Sequence, residues 1–137
     1  MKHNHETTIT SRIRYSEVDS MGFVYYAHYC VFLEVGRTEW LRSRGFSYRE
    51  MEENGFFLPV VDLKIRYHKA ARYDDLIETI TTAAELTKRV IRFSYRIVRE
   101  RELLIEAETT HLFMNRSGRA GSLPQELFNR ITRDGAI

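Results

Sequence analysis

The densest run of groups able to do chemistry is Glu17-Val-Asp-Ser-Met-Gly-Phe-Val-Tyr-Tyr-Ala-His-Tyr29. Its acid, Asp19, falls on a turn-rich break just before a helical segment. Helix N-termini expose unpaired backbone N–H groups and a partial positive charge. Such donors suit an oxyanion that develops on a carbonyl, because they need no reorganisation when the charge appears. A carboxylate beside them can attack that carbonyl or activate a water. Asp is also a favoured helix cap, and an isolated Asp at this place is more often that. His28, one turn into the helix, reads either as a second acid/base group or as a side chain that packs along the helix flank.

The elements that must position this block follow from periodicity. Thr7, Ile9, Ser11, Ile13 and Tyr15 alternate with Thr10, Arg12 and Arg14, the mark of a half-buried strand. After the break, Tyr26, Tyr29, Cys30, Leu33, Gly36, Trp40 and Leu41 recur at three and four, a helix ending near Gly45. Val31, Phe32 and Val35 widen its apolar face, so it is expected to be enveloped rather than laid on a surface. Gly36 within it costs about 1 kcal/mol relative to Ala, which a close approach of the sheet or an acyl chain would explain. Ser47 to Asn54 reads as a short second helix closed by Gly55.

Strands then resume: Val61–Tyr67 and 91–97 alternate, 76–86 is rich in Ile and Thr, and 104–114 alternates less cleanly. The connections Thr87-Lys88-Arg89 and 99–102 are too short for crossover helices and suit antiparallel hairpins. Ser122-x-x-Gln125 with Pro124 predicts a short C-terminal helix over 123–132. The order is α+β: a five-stranded antiparallel sheet wrapped around one long central helix.

Composition sets the outer bounds. The chain has 137 residues, 43% hydrophobic and 12% aromatic, which is one domain, 1–137. Charges of 21 basic and 19 acidic residues nearly cancel, which with the aromatic content excludes disorder. No apolar run approaches the ~20 residues of a membrane span. Residues 1–6 are expected to be disordered, and His3-Asn4-His5 lacks the third ligand a metal site needs. The first residues carry a basic start without an apolar stretch behind it, so no signal peptide is expected. Cys30 is the only cysteine, which excludes an intrachain disulfide and a thiolate zinc site and makes the cytoplasm the simplest setting. Cys30 itself is expected in the core. Lys64, Arg92 and Arg96 could line one sheet face as a nucleic-acid surface, yet acids are interleaved with them, and an ordinary solvated face is expected instead.

Asp19-x-x-Gly22-x-Val24-Tyr25-Tyr26-x-x-Tyr29, with Arg37-Thr38-Glu39 further on, resembles the hot-dog-fold thioesterases of the 4-hydroxybenzoyl-CoA thioesterase family. It is most similar to the acyl-CoA thioesterase branch associated with the Tol–Pal system. The likeness spans Thr8 to about Leu127 and includes Tyr67 and the turn at 71–76. It implies an enzyme, a thioester hydrolase acting on an acyl-CoA or acyl-carrier-protein. Coenzyme A is then part of the substrate, and no cofactor or metal is needed. Asp19 becomes the catalytic carboxylate, and the backbone N–H of Tyr26 the donor that polarises the thioester carbonyl. Lys88 and Arg89 match basic residues that meet CoA phosphates, which suits exposed cations at a loop tip. Two departures stand out: Ala70 replaces a frequent Pro, and Val18 removes a hydroxyl beside Asp19. The resemblance also implies a homodimer or homotetramer with the site between subunits. The alternative on the same fold is a non-catalytic acyl-CoA-binding module. A dehydratase is excluded, since it would need a His-Phe-Pro segment that the chain lacks.

Overall fold

The alternating segments become five strands: β1 (Glu6–Arg12), β2 (Val60–Tyr67), β3 (Leu76–Leu86), β4 (Val90–Arg99) and β5 (Glu102–Leu112). The computed structural model describes residues 5–133; His3 and Asn4 of the His-Asn-His run lie outside them. The 3.6-residue periods become α1 (Tyr29–Ser43), α2 (Tyr48–Glu53) and α3 (Gln125–Thr132). Ser47 caps α2, its side chain accepting from the Glu50 N–H at 3.1 Å.

All pairings are antiparallel, in the order β1-β3-β4-β5-β2. Strand succession in the chain is therefore not succession in space, because β2 pairs with β5 and not with β3. The two tight hairpins force β3, β4 and β5 to be neighbours, which leaves only the two edges for β1 and β2.

α1 lies against β1, β3 and β4. Leu33, Trp40 and Leu41 are fully buried there, and the Trp40 ring meets Phe93 edge-on at 5.5 Å. The curve of the sheet around the helix is open on the β2 side. Val31 and Val35 remain 43% and 40% exposed, and Cys30 is half-buried rather than in the core. The start of the chain corrects a second expectation. His5 and Glu6 are ordered because the buried Trp40 indole needs an acceptor and finds it in the His5 carbonyl at 3.0 Å. Glu6 pairs with Thr82. β1 stops at Arg12, short of Tyr15, because the chain turns into a 3-10 turn at Tyr15–Glu17. At the other end Pro124, not Ser122, occupies the N-cap of α3, with no side-chain cap.

Gly36 touches sheet side chains, not sheet backbone. A Cβ there would meet the Thr81 Oγ1, and would lie 3.1 Å from Thr79 Cγ2. Thr81 is wholly buried and cannot swing into solvent. Gly36→Ala is therefore expected to lower stability by about 1–3 kcal/mol despite its better helix propensity. The double variant with Thr81→Ala should recover most of that loss in thermal melts.

Candidate active site

Three segments meet at the N-terminal end of α1. Val18 and Val24 form an isolated antiparallel bridge, so residues 19–23 make a small hairpin loop. Phe23 bridges Arg72, and the Val24 N–H donates to the Ala71 carbonyl at 2.9 Å, joining that loop to the connection before β3. Tyr26–His28 form a 3-10 turn that runs directly into α1.

Asp19 is half-buried within this loop. Its Oδ1 accepts from the N–H groups of Met21 at 2.9 Å and Phe23 at 3.3 Å. The cap expected of an isolated Asp is thus present, but it caps the loop and not the helix. One carboxylate oxygen fixes the loop, and Oδ2 has no hydrogen-bond partner among the described residues. Val18 packs on the core, so the loop amides supply the hydrogen bonds that a neighbouring hydroxyl would otherwise give.

Tyr26 opens the 3-10 turn, where the first N–H groups have no place in the turn's own ladder. The Tyr26 carbonyl accepts from the Tyr67 hydroxyl at 3.1 Å, which pins the turn to β2. A cleft of about 240 Å³ lies here, lined by Val24, Tyr26, Tyr29, Tyr67 and the turn at 68–70. Behind it the Ala71 N–H donates to the buried Tyr29 hydroxyl at 3.1 Å. Arg99 clamps the same connection through Asp75 at 2.8 Å and Glu102 at 2.6 Å. Those two carboxylates hold the guanidinium's pKa above its ordinary value.

Lys88 and Arg89 are exposed at the tip of the β3–β4 hairpin, and the structure does not bring them to Asp19. Asp19 sits by the start of β3, whereas the hairpin closes the other end. Eleven residues of strand separate them, about 33 Å at the strand rise.

The histidines also find partners. His28 Nε2 lies 2.8 Å from Glu17 Oε2, and His68 Nε2 lies 2.9 Å from Glu106 Oε2. His111 is fully buried between the Leu58 carbonyl at 3.0 Å and Thr109 Oγ1 at 2.8 Å. Burial pushes its pKa down to about 4. The unfolded chain, with an ordinary imidazole near 6.5, then binds more protons than the folded one between about pH 6.5 and 4. Stability is complete above that window and falls as the pH drops through it. The loss should reach about 2 kcal/mol between pH 7 and 5. Melts of His111→Gln should show a smaller difference between those two pH values than the native chain.

Arg37 of the Arg-Thr-Glu segment turns inward to the hydroxyls of Tyr48 and Tyr95, while Glu39 pairs at the surface with Arg42 at 3.0 Å. On the outer sheet face Arg92 is ion-paired with Glu108 at 2.9 Å and Arg96 with Glu6 at 3.5 Å. Among the described residues no three His, Cys, Asp or Glu side chains converge as a metal site would require, and no helix is long and apolar enough to cross a membrane.

This loop-and-turn architecture has known counterparts. Residues 13–131 match the thioesterase-like superfamily. The chain belongs to that superfamily. It is 36% identical over 97 residues to the acyl-CoA thioesterase YbgC of Haemophilus influenzae, covering 70% of this chain and 71% of that one. Among solved structures it is similar to TT1821 of Thermus thermophilus, with a TM-score of 0.87 and 35% identity over 93% of this chain and 95% of that chain. A mutant 4-hydroxybenzoyl-CoA thioesterase, in complex with 4-hydroxybenzoyl-CoA, shares the hot-dog fold. Its TM-score is 0.83 at 20% identity, over 92% of this chain and 98% of that chain.

Two features of this superfamily member escape sequence reasoning. The Glu17–His28 contact crosses a turn that no periodicity describes. The Tyr67 bond depends on β2 lying beside the Tyr26 turn. In the sequence the first leaves only a polar residue two places from each catalytic candidate, and the second leaves no local signal.

Proposed function

We propose that this thioesterase hydrolyses an acyl-CoA or acyl-carrier-protein thioester through Asp19, with the N–H groups opening the Tyr26 turn as the oxyanion donors. The observation that carries this reading is the Asp19 carboxylate itself. It is oriented by two backbone N–H groups, has one oxygen left over, and lies on a loop bonded to the turn that starts α1. The thioester carbonyl enters the tyrosine-lined cleft and points its oxygen at the turn. Either Asp19 Oδ2 attacks the carbonyl carbon, or it takes the proton of a water that attacks. In both routes the negative charge rests on the carbonyl oxygen until the C–S bond breaks and the thiolate leaves. In the first route water then hydrolyses the acyl-aspartyl anhydride to the free acid and Asp19. Single turnover in ¹⁸O-water tests that route: ¹⁸O in the Asp19 side chain, from water attacking the aspartyl carbon, establishes the anhydride, since the second route leaves Asp19 unlabelled.

The working unit is a dimer formed through β2. Val61 and Leu63 on this edge strand are 48% and 45% exposed. With Val31 and Val35 of α1 they leave an apolar strip on the open side of the sheet. A two-fold axis perpendicular to the sheet makes the paired β2 strands antiparallel. Each Asp19 end then faces the Lys88–Arg89 end of its mate. That arrangement removes the difficulty of the long separation within one chain: CoA phosphates meet the mate's basic hairpin while the thioester meets Asp19.

A panel of aroyl-, short-chain and long-chain acyl-CoAs assayed for CoA release tests the activity, and tight binding without thiol release overturns it. Lys88→Glu/Arg89→Glu should raise KM for acyl-CoA by at least about tenfold, since even one lost charge-assisted hydrogen bond is worth about 1.5 kcal/mol or more and the variant removes two cations. The same variant should leave KM unchanged for an N-acetylcysteamine thioester, which has no phosphate.

A further inference from the structure

Glu17 is the one buried carboxylate among the described residues, at 9% exposure. Its Oε1 accepts from the Arg14 N–H at 2.6 Å, and its Oε2 takes the imidazole of His28 at 2.8 Å. Its backbone carbonyl accepts from the Tyr25 N–H at 3.0 Å. One residue thus ties together the exit from β1, the base of the Asp19 loop and the turn that opens α1. His28 completes the tie from the other side. Its N–H donates to the Tyr25 carbonyl at 2.8 Å, and its ring stands edge-on to Phe32 at 5.4 Å.

Stability alone gives little reason for such a pair. A buried carboxylate–imidazole contact loses its hydration, and well-packed apolar side chains of similar volume commonly do as well. Geometry gives a better reason. Asp19 stands two residues from Glu17, and Tyr26 stands two residues from His28. The contact at 2.8 Å therefore spans the two arms that carry the carboxylate and the N–H donors. Apart from it, those arms are joined by the Val18–Val24 bridge, the Tyr25–Glu17 backbone bond and, across the loop itself, the Asp19 N–H donating to the Phe23 carbonyl at 2.8 Å, none of which reaches the Tyr26–His28 turn.

We propose that Glu17 and His28 are positioning residues, a hydrogen-bonded strut that holds Asp19 at a set distance from the N–H groups of the Tyr26 turn. Neither touches the reacting atoms. Their effect is exerted through Asp19, so the inference rests on the Asp19-dependent reading above. A displacement of about 1 Å between a catalytic group and its target can cost about a hundredfold in rate.

The test compares Glu17→Ala, His28→Ala, Glu17→Gln and His28→Gln with Asp19→Ala, using the acyl-CoA that the native chain turns over fastest. Both alanine variants should lower kcat by about 10–100-fold with KM within about threefold of native. Both glutamine variants keep a donor or acceptor in place and should recover kcat to within about threefold. Hydrogen exchange at the Met21 and Phe23 amides should speed up in the alanine variants and not in the glutamine ones. If Asp19→Ala is inactive while both alanine variants keep kcat within about twofold, the strut is wrong and the Asp19 reading stands. Glutamine variants as impaired as the alanine ones would also overturn it. Full turnover by Asp19→Ala would remove the reading on which the strut depends.

Discussion

Asp19→Asn is expected to lower kcat by about 10²–10⁴-fold, the range associated with removing a positioned acid/base or nucleophilic group. The choice of Asn separates chemistry from folding. An amide oxygen still accepts the N–H groups of Met21 and Phe23, so the loop bonds at 2.9 and 3.3 Å are kept. What is lost is the charge on the other oxygen; the amide nitrogen in its place neither attacks a thioester nor takes a proton from water. KM should therefore change little and the melting temperature should stay near native, with the deficit concentrated in kcat. Asp19→Ala should show a similar kcat and a lower melting temperature, because two loop N–H groups lose their acceptor. A thiol-release assay on the best acyl-CoA measures both variants. Turnover within a few-fold of native in Asp19→Asn would sink the proposed role.

Leu63→Asp is expected to separate the subunits and to remove most turnover with them. Leu63 lies on β2 opposite Thr109 and is 45% exposed in the single chain, so an aspartate there can be hydrated when the chain stands alone. In a two-fold dimer through β2 the substitution occurs twice, and each carboxylate is buried without a partner. Unpaired buried charge costs several kcal/mol per ion, and the dimer dissociation constant should rise at least about a thousandfold at about 1.4 kcal/mol per decade. The separated chain keeps Asp19 and the Tyr26 turn but loses the mate's Lys88–Arg89 hairpin. Light scattering should report a folded monomer, and kcat/KM for acyl-CoA should fall by about a hundredfold or more. A monomeric Leu63→Asp with native activity would refute the shared site.

The legible part of this protein is the part whose interactions are local. Residues 17–29 carry the acid, the turn and the helix start within a few turns of chain, so spacing alone puts Asp19 on the loop that leads into the Tyr26 turn. The strand alternation is equally readable, because each side chain's face is decided by its own position along the strand. Gly36 is legible as an anomaly in a helix, but its cause is not. Thr81 and Thr79 lie on a different element, and only the packing of α1 on β3 brings them beneath it.

His28 illustrates the same boundary from the other side. Its type and place suggest either catalysis or packing, and the choice between them turns on Glu17, which reaches it across the loop. Cys30, Val31 and Val35 look like core because an apolar helix face has no way to record which of its flanks the sheet will leave open. The opening follows from α1 settling over β1, β3 and β4.

The sequence by itself determined the element types, the hairpins and the local unit of carboxylate and helix start, because backbone geometry over a few residues sets those distances. Only the tertiary structure decided that β2 is an edge with an apolar strip, and that Lys88–Arg89 stand at the far end of β3 from Asp19. The physical reason is that strand neighbours are chosen by which hydrogen-bonding edges remain once the tight hairpins have closed. That choice is made by the whole sheet at once, and no single segment contains it.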